Sequence, residues 1–121
     1  MLTRWWLRLF GVACMAIGLV HLVVGPASVI GGGPVNATID GEMRFYSVLF
    51  IGFGAGFVWA AADLPQRLTL VHVLGGLFFF GGLARLLAIL QTGAPHVFFL
   101  AMIAVEVVVP VVNWRLLKHI R

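Results

Sequence analysis

Two residues frame the chemistry available to this chain. Arg85 lies in "LFFFGGLARLLAILQTGAP", an almost wholly apolar run, and Glu106 lies in "AVEVVVP", another. A guanidinium does not give up its proton, so Arg85 must reach water along its apolar stem or meet an acceptor. Glu106 is the only acid inside any long apolar run of the sequence, which makes it the expected partner. Such a pair can fix the register of two helices, or hold a fixed donor ready for the polar head of a hydrophobic ligand. His21 in "GLVHLVVGP" and the polar string "DGEMRFY", with Glu42, Arg44 and Tyr46, complete the set of candidate ligand-binding residues.

Other chemistries find no support. The sequence has no HExxH, no CxxC, no paired carboxylates, no serine-nucleophile motif and no phosphate-binding glycine loop followed by Lys-Ser/Thr. One cysteine, Cys14, excludes an intrachain disulfide and a cysteine-rich metal centre. Of the four histidines only His21 and His72 fall within apolar runs. Counting places them near opposite membrane faces, so one haem would not bridge them. No catalytic residues, no metal and no cofactor are assigned, and the balance leans away from an enzyme.

These side chains must be positioned by elements that the composition identifies. The chain has 121 residues, 62% of them hydrophobic and 10% charged, against roughly a half and about a quarter in a soluble domain. Four stretches reach the length of about 18–20 apolar residues that a membrane span requires: Trp5–Val24, Phe45–Ala62, Leu68–Leu90 and Val97–Trp114. Hydrocarbon satisfies no backbone polar group, and none of the stretches alternates with period two, so each is expected to be a helix. One domain spanning residues 1–121 is expected, with connections Gly25–Arg44, Asp63–Arg67 and Gln91–His96. The positively charged, apolar N-terminal segment is read as an uncleaved first span. The long first connection, rich in Gly and Pro, is read as irregular, either a plain linker or a lid.

The formal charge of +4 comes from 8 Lys+Arg against 4 Asp+Glu, and its distribution speaks of topology rather than of nucleic acid. Arg4, Arg8, Arg67, Arg115, Lys118 and Arg121 all fall on one side if both termini are cytoplasmic, as the excess of Lys and Arg in cytoplasmic loops predicts. The short connections "DLPQR" and "QTGAPH" turn each span back on its predecessor. The fold class expected is therefore all-α: an integral-membrane antiparallel four-helix bundle, N-in and C-in.

Depth then gathers the polar residues. At 1.5 Å rise per residue, His21 lies about 6 Å below Gly25, Arg85 about 9 Å below Gln91 and Glu106 about 15 Å below His96. All belong to the outer half, with Arg44 at the rim. Pro110, four residues after Glu106, cannot donate to the Glu106 carbonyl, which becomes a further acceptor, and a kink is expected there. Gly11, Cys14, Gly18, His21 and Gly25 share one helical face. That face, together with Gly52/Gly56, Gly75–Gly76 and Gly81–Gly82, is read as a set of packing seams.

"GLVHLVVGP", "MRFYSVLFIGFGAGFVW", "GGLARLLAILQTGAP" and the Glu–Pro pair of "AVEVVVP" together resemble an uncharacterised group of small bacterial four-helix membrane proteins related to the DoxX-like superfamily. The resemblance covers nearly the whole chain. It implies an inner (plasma) membrane bundle and, through the association of DoxX-like proteins with redox complexes, a partner-subunit role. It transfers no catalytic residue.

The expected function is that of a small inner-membrane protein that binds a lipid or hydrophobic ligand, or serves as an accessory subunit. Arg85 would be the fixed donor, Glu106 its orienting group, and His21, Arg44, Tyr46 and Glu42 the surrounding polar groups. Membrane lipids, a membrane-protein partner or a second copy of the chain are the partners implied. Two alternatives come from other classes: a redox or proton-handling component near a quinone, and a purely structural assembly factor.

Overall fold

The computed structural model describes residues 2–118; His119 and Arg121 lie outside the described residues. Four helices account for most of the chain: α1 Leu2–Val24, α2 Ala37–Ala62, α3 Leu68–Thr92 and α4 Val97–Leu117. There is no strand among the described residues. All four helices are long and apolar enough to cross a membrane. Contacts divide the chain into two compact units, Met1–Asp63 and Leu64–Arg121, each a pair of helices.

In the first unit, α1 buries Leu7, Gly11, Cys14 and Gly18, a spacing of four, three and four residues that keeps one stripe facing its neighbour. The backbones touch at Gly11. A methyl group added there would lie 2.5 Å from the Gly54 carbonyl oxygen and 2.9 Å from Val58 Cγ2. At Gly18 it would lie 2.7 Å from Ile51 and 3.0 Å from the Ser47 carbonyl. Association in lipid depends on such close packing, since the lipid tails are as apolar as the helices and no hydrophobic force drives the helices together. Phe10 stacks on Phe57 at 5.3 Å beside the seam. The α2 glycine that touches α1 is Gly54, which the sequence reading did not single out; of the expected Gly52 and Gly56, Gly52 is exposed and a side chain there would meet open space.

The connection from α1 to α2 is shorter than the sequence suggested. A 3₁₀ turn, Gly25–Ser28, follows α1 directly, and α2 begins at Ala37 rather than near Phe45. Asn36 starts it: its side-chain oxygen accepts from the Ile39 N–H at 2.9 Å. Asp40 then places a negative charge in the first turn, where the helix dipole favours it. Residues 37–44 are therefore helical, and Arg44 stands seven residues inside α2 instead of at its first turn.

In the second unit, α3 buries Val71, Gly75, Phe78 and Gly82, again at four, three and four. Opposite them, α4 buries Glu106, Val109, Asn113 and Leu117. Gly93, at φ 96°, ends α3, and its N–H bonds the Ile89 carbonyl at 2.9 Å. His96 starts α4, its Nδ1 accepting from the Phe98 N–H at 3.1 Å. The α4 helix continues through Pro110 to Leu117.

Candidate functional site

Arg85 follows Gly82 by three residues, which continues the buried stripe of α3 by one more step. Glu106 occupies the matching stripe of α4. Gly82 brings the two helices together at that level, because a Cβ there would sit 3.0 Å from the Glu106 Cβ. With no side chain in the way, the carboxylate reaches across, and the Arg85 Nε donates to Glu106 Oε1 at 2.7 Å. The ion pair expected from depth counting is present.

Its geometry is asymmetric in two respects. The Glu106 side chain is 8% exposed, whereas that of Arg85 is 40% exposed. Moreover, Glu106 takes only the Nε edge of the guanidinium. A guanidinium carries five N–H donors in a planar fork, and among the described residues no hydrogen bond takes the two terminal nitrogens. The Phe99 ring lies under the guanidinium, 5.4 Å from ring centre to Cζ. The carboxylate and the ring hold the group in place and leave its terminal nitrogens without a hydrogen bond among the described residues. Such a fork matches a phosphate or carboxylate bidentately.

The other predicted residues belong to the first unit, where each has a local partner. Arg44 donates from Nε to Asp40 Oδ1 at 2.5 Å and from Nη1 to the carbonyls of Leu22 at 2.8 Å and Val23 at 3.4 Å. These carbonyls are among the last of α1, which lack helical donors and carry the negative end of the dipole, so a cation suits them. Gly25 is needed beside it: its φ of +79° ends the helix, and a Cβ there would run into the guanidinium. Arg44 thus fastens the end of α1 to α2.

His21 closes the same turn. Ser28 Oγ donates to the Gly25 carbonyl at 2.6 Å, which uses its one hydrogen. The 2.5 Å contact between Ser28 Oγ and His21 Nδ1 therefore has the imidazole as donor. Tyr46 and Glu42, one turn earlier on α2, interact with each other, and both residues are exposed.

Sequence reasoning paired Arg85 with Glu106 but did not find Phe99, Asp40 or Ser28. The last two were findable as local signals, an i,i+4 acid–base pair and a serine three residues after a helix-ending glycine. Phe99 was not, since ten phenylalanines compete for any such role. No group of three or more His, Cys, Asp or Glu that could hold a metal ion occurs among the described residues.

A family model with the description "Domain of unknown function (DUF4345)" matches residues 2–117. No curated protein and no solved structure matches the chain.

Proposed function

The chain belongs to the DUF4345 family, whose description names no activity, and we propose from its own side chains that it binds a membrane amphiphile with an anionic head group at Arg85. One observation carries this reading: the guanidinium is anchored by Glu106 through Nε alone, half exposed, with its outer fork unclaimed among the described residues. A cation placed within an apolar span is costly, and its free donors are best satisfied by an acceptor that itself resides in the membrane. A lipid phosphate or carboxylate is such an acceptor. Its acyl chains would lie along the apolar faces of α3 and α4. His21, Arg44, Tyr46 and Glu42 enter only as surrounding polar groups, because each already has a partner in its own hairpin.

The proposal includes the arrangement in which this site would work. The two hairpins form a single domain, an antiparallel four-helix bundle in the bacterial inner membrane, related to DoxX-like proteins. Both termini are cytoplasmic, which puts the loop between α3 and α4 outside and Arg85 in the outer leaflet. The basic residues Arg4, Arg8, Arg67, Arg115 and Lys118 support that orientation.

The test is native mass spectrometry of the protein purified in mild detergent, with thermal unfolding measured on addition of phosphatidylglycerol or phosphatidylcholine. The wild type is expected to retain an anionic lipid and to be stabilised by phosphatidylglycerol, with Arg85→Gln losing both effects. Equal stabilisation of wild type and Arg85→Gln would defeat the reading. A visible chromophore in the purified protein would favour the redox alternative instead.

A further inference from the structure

A second polar feature lies in the same hairpin, far from the first. A cavity of about 340 Å³ opens between α3 and α4, lined by Val71, His72, Gly75, Gly76, Pro110, Asn113 and Trp114. His72 and Arg85 are thirteen residues apart on α3, about 20 Å at the helical rise, so the two features stand near opposite ends of the span. We infer that this cavity binds a neutral, ring-bearing amphiphile from the membrane that carries a hydroxyl or carbonyl oxygen.

The lining specifies the class. No charged side chain borders the cavity, which disfavours an ion, since a charge in such a place needs a partner. The floor is backbone: an added Cβ at Gly76 would meet nothing within 4 Å, and at Gly75 it would meet only Pro110 at 3.8 Å. The pyrrolidine of Pro110 and the indole of Trp114 add two flat, stiff surfaces. Bare backbone between flat walls accommodates a planar ring better than a branched or tightly coiled chain. The volume lies near the lower end of the range of about 300–1,000 Å³ typical of ligand pockets, which suits one ring and a short tail.

Two polar side chains in the lining call for the oxygen. His72 is an imidazole in a helix of membrane-crossing length, and among the described residues its ring makes no hydrogen bond. His72 is exposed at the cavity rim, so both ring nitrogens are open to a ligand's oxygen. Asn113, 2% exposed, lines the same cavity and brings an amide with both donor and acceptor ends. A hydroxyl or carbonyl on the ring would satisfy His72 directly. Pockets that are mostly apolar with a few convergent polar groups are the usual form of a small-molecule site. This inference does not depend on the reading of Arg85.

The experiment uses the intact protein in nanodiscs, with 4-hexylphenol as probe and hexylbenzene as its match without the oxygen, measured by equilibrium dialysis against empty nanodiscs. The wild type is expected to bind 4-hexylphenol saturably and to prefer it about tenfold, the size of one net hydrogen bond. Gly76→Leu should abolish binding of both probes without lowering the thermal unfolding temperature, and Gly76→Ala should weaken both. His72→Phe should remove most of the preference. The inference is overturned by any of four results: no saturable binding to the wild type, equal binding of the two probes, undiminished binding by Gly76→Leu, or a preference that survives both His72→Phe and Asn113→Leu. Lipid binding at Arg85 should be unchanged in Gly76→Leu, so the two sites are tested separately.

Discussion

Removing Arg85 and removing Glu106 should not cost the same, although each breaks the same 2.7 Å bond. Arg85→Ala leaves a nearly buried acid with no donor, and breaking a fully buried pair from one side costs about 3–5 kcal/mol. The guanidinium is 40% exposed in the native protein, so part of its charge is already screened, and a loss of about 2–3 kcal/mol is expected. Glu106→Gln differs in kind. The amide oxygen still accepts from Nε, and if the bond breaks the long arginine stem can carry its charge outward to water. Its loss should be about 1 kcal/mol, the scale of a hydrogen bond weakened from charged to neutral. The double variant should then reveal a coupling of about 1–2 kcal/mol. The assay is reversible unfolding in mixed micelles, titrated with sodium dodecyl sulfate and followed by far-ultraviolet circular dichroism. Equal single losses would show that the burial asymmetry has no energetic weight. Losses that add within about 0.5 kcal/mol would mean that the two groups do not stabilise each other.

Three further outcomes follow from the same structure. Gly11→Ala should cost about 1–3 kcal/mol in that assay, because its methyl meets the Gly54 carbonyl at 2.5 Å, whereas Gly52→Ala, facing open space, should cost nothing measurable. Arg44→Ala should raise amide hydrogen exchange in the last turn of α1 by exposing the Leu22 and Val23 carbonyl bonds to competition, and Arg44→Lys should restore only part of the protection because one ammonium replaces a fork. With Cys14→Ala as background, Ala94→Cys should react with an impermeant maleimide in intact cells and Lys118→Cys only after permeabilisation; the reverse pattern would place the Arg85 end of the helix in the cytoplasmic leaflet.

The four helices were legible because a membrane crossing imposes length and apolarity together, and few soluble folds satisfy both. The Arg85–Glu106 pair was legible because the acids are scarce: with one carboxylate within the apolar runs, counting depth was enough. The α2 start was misread for a related reason. Asp40, Glu42 and Arg44 make the segment polar, and polarity next to a span reads as a loop, yet Asn36 and the Asp40–Arg44 bond extend the helix through it. Among the glycines, composition could not decide which would be used. Gly75 and Gly82 lie in the α3 seam while their neighbours Gly76 and Gly81 face open space, and that choice belongs to the rotational setting of the helix against its partner. The cavity at His72 depends on that setting too, so nothing in one dimension disclosed it.

The two hairpins differ in how much a single carbon matters. At Gly11 there is no clearance for one, so α1 and α2 behave as a welded strut whose spacing cannot drift without loss of the joint. At Gly75 an added carbon would rest against Pro110 at an ordinary distance of 3.8 Å, whereas at Gly82 it would press on the Glu106 Cβ at 3.0 Å, so the α3–α4 joint is tight beside the ion pair and tolerant at the level of Pro110. A larger residue can therefore be taken in at the Gly75 level of the second pair of helices, and not at Gly11 or Gly18 of the first.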